Sequence, residues 1–146
     1  MTSMVAQPAI RLPVPTLAAG ALAPGIVVGT GLAAFWWMRS AEAGQAAAIG
    51  AGIALLAALV WVGAMAFLPR RNAAKWSLVL VLSSSARMLG SLAFALGLFL
   101  ALPMQKAPYW GTFLACSLTI LAVETIVSYS ALKRAAHAAG TEDSAR

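Results

Sequence analysis

The sequence has little charge for its length. Charged residues make up 10% of its 146 residues, against about 25% in typical soluble domains. Hydrophobic residues make up 62%, and the mean hydropathy is +0.87. This balance excludes an ordinary soluble domain and indicates an integral membrane protein. Four spans of about 20 residues each would leave only short loops and two tails, so no separate soluble catalytic domain fits in the chain.

Residues that carry chemistry are also scarce. The single cysteine, Cys116, excludes an internal disulfide, and its apolar surroundings favour a packing role. The single histidine, His137, has no second histidine or carboxylate cluster beside it, so we predict no metal site. The sequence has no phosphate-binding loop and no HExxH, CxxC or GxSxG motif. We therefore expect no enzymatic activity, no catalytic residue and no cofactor.

The net charge of +6 comes from basic residues at the ends of apolar segments. Such flanks fix orientation in a bilayer, so we predict a lipid bilayer, and no nucleic acid, as the partner of these charges. One side carries seven: Arg11, Arg70, Arg71, Lys75, Lys133, Arg134 and Arg146. The other side carries two: Arg39 and Lys106. This bias predicts a multi-pass protein of the inner (plasma) membrane with both termini in the cytoplasm.

Four apolar segments predict an all-α fold, a membrane four-helix bundle. The predicted spans are residues 17–38, 46–68, 76–102 and 109–132, with an extended lead-in over residues 1–16 and a cytoplasmic tail over residues 133–146. The connections are short, which favours an antiparallel arrangement.

The first span contains two local signals. Pro24 predicts either a kink or the true start of the helix. The spacing of Gly25 and Gly29 permits close approach of another helix.

Aromatic residues cluster at the span ends, where amphipathic rings favour the headgroup layer. They are Trp36, Trp37, Trp76, Tyr109 and Trp110. The sequence therefore predicts interfacial positions for these five rings.

Two charges fall inside the predicted spans, Arg87 in the third and Glu124 in the fourth. Each would cost about 3 kcal/mol or more if left alone at mid-bilayer. Arg87 lies twelve residues from Lys75, and Glu124 lies nine from Lys133, which places them roughly 18 Å and 14 Å above the cytoplasmic side. The guanidinium easily covers that difference, so we predict that the two pair with each other.

Serines extend both charged positions into polar stripes. Ser83, Ser84 and Ser91 follow helical spacing around Arg87, and Ser117 and Ser128 do so around Glu124. The stripes predict a polar seam between spans three and four. Two interpretations stay open: the pair fixes the register of the two helices, or it is a functional site that handles ions or recognises another subunit.

This pattern resembles the ATP synthase protein I family, small four-span membrane proteins. The residues that carry the resemblance are the segment Ser83-Ser84-Ser85-Ala86-Arg87-Met88-Leu89 and the segment Leu121-Ala-Val-Glu124. The first is similar to that family's Gly-Glu-Ala-x-Lys-x-Leu, with Arg87 where its lysine stands. Ser84 replaces the family's acidic residue, and Glu124 stands where the family tends to have Gln.

The resemblance implies an accessory protein that assists assembly or stability of the rotor ring of the F-type ATP synthase, with the c subunits as partners. The runner-up interpretation is a small ion or solute channel or transporter that uses the Arg87 and Glu124 pair. A third is a structural subunit of a larger respiratory or photosynthetic assembly. Homo-oligomerisation stays open at this point.

Overall fold

The computed structural model of the protein describes residues 14–67 and 73–143. These residues form four α-helices and no strand, which confirms the predicted all-α class. Each helix is long and apolar enough to cross a bilayer, as expected of a multi-pass membrane protein. The helices are α1 (Val14–Trp37), α2 (Ala41–Ala66), α3 (Ala73–Ala101) and α4 (Lys106–Asp143).

Helix α1 begins inside the predicted lead-in, whose residues 1–13 lie outside the described part of the chain. Pro24 lies within the continuous helix, so it does not mark the helix start. Proline has no N–H, so the carbonyl of Gly20 receives no intrahelical hydrogen bond from this position.

Helix α2 begins five residues before the predicted start at residue 46. The Ser40 hydroxyl oxygen accepts a hydrogen bond from the backbone N–H of Ala43 at 3.1 Å, the arrangement of an N-cap. Glu42 lies in the first turn, where the helix dipole favours a carboxylate. These polar residues set the helix start, although the predicted apolar run begins later.

Helix α4 extends beyond the predicted fourth span at both ends. It begins at Lys106 and continues to Asp143, through most of the segment predicted as a tail. Pro108 lies in its first turn, where a proline's missing N–H leaves no hydrogen bond unmade. The cytoplasmic location of the residues after 132 stays a prediction.

Helices α1, α2 and α4 form the packed core. A Cβ added to Gly25 would lie 2.8 Å from Ile120 on α4, and one added to Gly29 would lie 3.0 Å from Ala51 on α2. The predicted close approach at these glycines is therefore confirmed. The buried face of α2 consists mainly of small residues: Ala43, Gly44, Ala46, Ala47, Gly50, Ala51, Ala54 and Ala58.

Helix α3 lies at the side of this core. It packs on α2 along more of its length than on α4, and its described residues make no contact with α1. A small cluster between α2 and α3 buries Trp61, Met65, Trp76 and Leu80, and Val127 and Ala131 of α4 pack against it. The opposite surface exposes large apolar side chains such as Leu89, as lipid-facing helices do.

Two of the aromatic residues predicted for the headgroup layer are buried between helices, near the helix ends, and their depth in a bilayer stays a prediction. Trp76 is 1% exposed and Tyr109 is 0% exposed. The Tyr109 hydroxyl donates to the Ala95 carbonyl at 2.7 Å, and its ring stacks on Phe99. These rings join helices near their ends, because a buried hydroxyl and a large ring both gain more from a protein partner than from lipid.

A candidate functional site at the Arg87 and Glu124 pair

The predicted ion pair is present in the structure. Arg87 Nη1 lies 2.7 Å from Glu124 Oε2, and the two side chains are 7% and 3% exposed. The same two atoms lack an aligned hydrogen bond, so the contact meets the distance of an ion pair without hydrogen-bond geometry. Charge attraction therefore holds this contact, and it bridges α3 and α4.

Ser84 provides the aligned polar contact to the carboxylate. Its hydroxyl donates to Glu124 Oε1 at 2.7 Å, a charge-assisted hydrogen bond. The two oxygens of Glu124 thus contact two different residues of α3. Within the predicted α3 stripe, Arg87 and Ser84 are the members that meet α4.

Ser83 faces α2 rather than α4. Its oxygen accepts a hydrogen bond from Trp61 Nε1 at 3.1 Å, and its hydroxyl lies 3.1 Å from the Leu80 carbonyl. The predicted seam between spans three and four is therefore a junction of three helices, because α3 turns adjacent serines toward different neighbours.

Trp61 is a member of the site that sequence reasoning missed. It is 4% exposed, and the Arg87 guanidinium carbon lies 5.2 Å from its ring centroid, within the range of a cation–π contact. A tryptophan inside a span, away from the span ends, was the available signal. Without a helix register, however, nothing in the sequence directs its ring toward Arg87.

Ser91 and Ser117 lie on the side of the pair that faces the core. With Arg87 they line a small cavity of about 10 Å³ whose remaining walls are apolar. Ser91 donates to the Met88 carbonyl of its own helix at 3.0 Å. The cavity joins these predicted stripe members to Arg87, and its size is near that of one water molecule.

Ser128 lies one turn from Glu124 on the other side of the pair. It is 7% exposed, and its hydroxyl oxygen is buried without a hydrogen-bond partner. It lines a groove of about 390 Å³ between α3 and α4, together with Leu80, Val81, Ser84, Ser85, Leu121, Glu124, Thr125 and Tyr129. The ion pair thus stands between a small inner cavity and an open outer groove.

The described residues contain no group of three or more His, Cys, Asp or Glu side chains that would hold a metal ion, and the His137 side chain lies outside them. The chemistry available at the site is that of one cation, one anion, hydroxyl groups and an aromatic ring. Such a set can bind and exchange charged partners.

Comparisons of the chain with protein-family models, with curated proteins and with solved structures found no match. The resemblance to ATP synthase protein I therefore rests on the residues quoted above.

Proposed function

We propose that the chain is an antiparallel four-span bundle of the inner (plasma) membrane with both termini in the cytoplasm. The contacts between α3 and α4 support the antiparallel arrangement, since Ser84 meets Glu124 while the later residue Ala95 meets the earlier residue Tyr109. The excess of seven basic residues over two supports the orientation.

Within that membrane, we propose an accessory protein that assists assembly or stability of the F-type ATP synthase rotor ring through transient contact with c subunits. The observation that carries this proposal is the position of the buried ion pair, which joins the peripheral helix α3 to the core. A buried charge needs a partner at every moment. At a joint between loosely packed helices, another membrane helix can supply that partner.

The contacts of Arg87 suit such an exchange. Its bond to Glu124 lacks aligned hydrogen-bond geometry, and a groove lies open beside the carboxylate. A carboxylate on a client helix can take the place of Glu124, while Ser84 keeps Glu124 hydrogen-bonded. The resemblance to ATP synthase protein I identifies the c subunit, which carries a mid-membrane carboxylate, as this client.

Co-purification from the native membrane tests the proposal. The C-terminus is tagged, the protein is extracted in mild detergent, and the associated proteins are identified by mass spectrometry. We expect c subunits with the wild-type chain and their loss with Arg87→Ala. Arg39→Ala is the matched control, because it removes an exposed arginine at the end of α1. A protein that emerges alone, or only as a homo-oligomer, would contradict the proposal.

The second candidate function is ion or solute conduction. The specific observation in its favour is the presence of polar residues on both sides of the pair, Ser91 and Ser117 inside and Ser128 outside. A conductor would carry flux in vesicles of pure lipid and lose it in Glu124→Gln, whereas an assembly protein would be silent there.

A further inference from the structure

Helix α3 is held unequally by its two neighbours. Its packing on α2 is more extensive than its packing on α4 and includes the Trp61 and Trp76 cluster, against which Val127 and Ala131 of α4 also pack. On the α4 side its contact is sparse, and the groove of about 390 Å³ occupies part of the boundary. Any separation of α3 from the bundle would therefore begin at α4.

The side-chain polar contacts between α3 and α4 include contacts at two different levels of the bundle. At one level Glu124 receives both Arg87 and Ser84. At the other level the Tyr109 hydroxyl donates to the Ala95 carbonyl. Ala95 lies eleven residues after Ser84 along α3, which places this level roughly 16 Å away. Loss of the Glu124 contacts would remove the ion pair and the Ser84 hydrogen bond from this boundary and leave the Tyr109 hydrogen bond in place.

Trp61 ties α3 to α2 at the same level as the ion pair. Its ring lies 5.2 Å from the Arg87 guanidinium carbon, and its Nε1–H donates to Ser83. The Trp61 ring faces the Arg87 guanidinium, and its Nε1–H and the Ser83 oxygen make no contact with Glu124. These two contacts therefore persist when the carboxylate is withdrawn, and they give the arginine a second partner inside the membrane.

From this geometry we propose that Trp61 is a positioning residue of the charged site. It keeps Arg87 and α3 on α2 while α3 parts from α4 at Glu124. The mobile boundary of the bundle is thus the α3 and α4 groove, and the α2 and α3 boundary is the fixed side. This inference concerns the isolated protein and does not depend on the identity of any client.

Pairwise spin-label distances in lipid nanodiscs test it. The labels occupy exposed positions in a Cys116→Ala chain: Leu59→Cys with Leu82→Cys across α2 and α3, and Leu82→Cys with Ile126→Cys across α3 and α4. A third pair, Val27→Cys with Leu118→Cys across α1 and α4, monitors the core. The labelled residues are 55% or more exposed, so the labels replace side chains outside the packed interior.

Glu124→Gln is expected to lengthen and broaden the α3 to α4 distance while the α2 to α3 distance stays as in the parent chain. Adding Trp61→Leu is expected to broaden the α2 to α3 distance as well. Adding Trp61→Phe instead keeps an aromatic ring next to Arg87. It is expected to leave the α2 to α3 distance close to that in Glu124→Gln alone. The α1 to α4 distance should stay unchanged in all of these chains.

If a double variant also changes the α1 to α4 distance, Trp61→Leu and Trp61→Phe are compared in chains that keep Glu124. There Trp61→Leu is expected to broaden the α2 to α3 distance more than Trp61→Phe. Equal effects of Leu and Phe would overturn the proposal, as would an α2 to α3 distance that broadens in Glu124→Gln alone. Because no client is present, these outcomes are independent of c-subunit co-purification.

Discussion

Helices α2 and α3 are both apolar spans, yet they are held in the bundle by different means. The buried face of α2 is built of alanine and glycine, so neighbouring backbones come close. Helix α3 has few fully buried residues, and its polar contacts include those to Glu124, Trp61 and Tyr109. In lipid, where burial of apolar surface gives little association energy, close van der Waals packing and polar contacts are the two available means. In this bundle α2 is held mainly by close packing, whereas α3 depends more on polar contacts.

The largest effect is expected when one charge of the ion pair is removed. Arg87→Ala leaves Glu124 buried and unpaired, and we expect a loss of about 3–5 kcal/mol in the free energy of unfolding. Reversible unfolding in mixed detergent micelles measures this change. In the charge swap, Arg87→Glu with Glu124→Arg, the double variant should recover part of what each single variant loses. A full additive loss in the double variant would refute direct pairing.

The next largest effect is expected when the close packing of α2 is disturbed. A Cβ on Gly50 would lie 2.5 Å from the Tyr109 carbonyl oxygen, a backbone atom that cannot move aside on its own. We expect Gly50→Ala to destabilise the bundle by about 1–3 kcal/mol. Gly52→Ala is the matched control two residues away, where an added Cβ meets nothing within 4 Å. Equal effects at both positions would show that α2 is not closely packed at Gly50.

A smaller effect is expected at the far end of α3. Tyr109→Phe removes the hydrogen bond to the Ala95 carbonyl and keeps the stacked ring. A single hydrogen bond between membrane helices contributes about 0.6 kcal/mol on average, so the loss should be of that order. Unfolding in the same micelles measures it, and a loss as large as that of Arg87→Ala would mean that the ion pair is not the main polar tie of α3.

The smallest effect should have the opposite sign. An added Cβ at Gly90 on α3 meets nothing within 4 Å, and alanine favours a helix over glycine by up to about 1 kcal/mol. Gly90→Ala should therefore leave stability unchanged or raise it slightly. A clear destabilisation would show that α3 has a close neighbour on this face in the membrane, such as a second copy of the chain.

Much of this arrangement is readable from the sequence. The four spans follow from apolar length, and the pairing of Arg87 with Glu124 follows from their similar depth and the cost of an isolated charge. Both predictions depend on the bilayer, because its thickness fixes the length of each span and the depth of each residue along it. The all-α class and the ion pair are accordingly confirmed by the structure.

Rotation of each helix about its own axis is what the sequence does not determine. Lipid-facing and protein-facing sides are nearly equally apolar here, so periodicity does not indicate which side is buried. The sequence therefore does not place Trp61 beside Arg87, and it predicts that Ser83 faces α4, whereas Ser83 contacts α2. Burial of Tyr109 between helices has no signal in the sequence for the same reason, since its partner Ala95 has no polar side chain to mark it.

The lone thiol of Cys116 provides a natural reporter of bundle integrity. It is 0% exposed, and its sulfur lies 3.8 Å from the Gly25 carbonyl oxygen, between α1 and α4. A thiol-reactive probe can reach it only when these two helices separate. Maleimide labelling of the unmodified chain would thus record opening of the core and remain blind to movement of α3, which distinguishes unfolding from a local rearrangement with a single reagent.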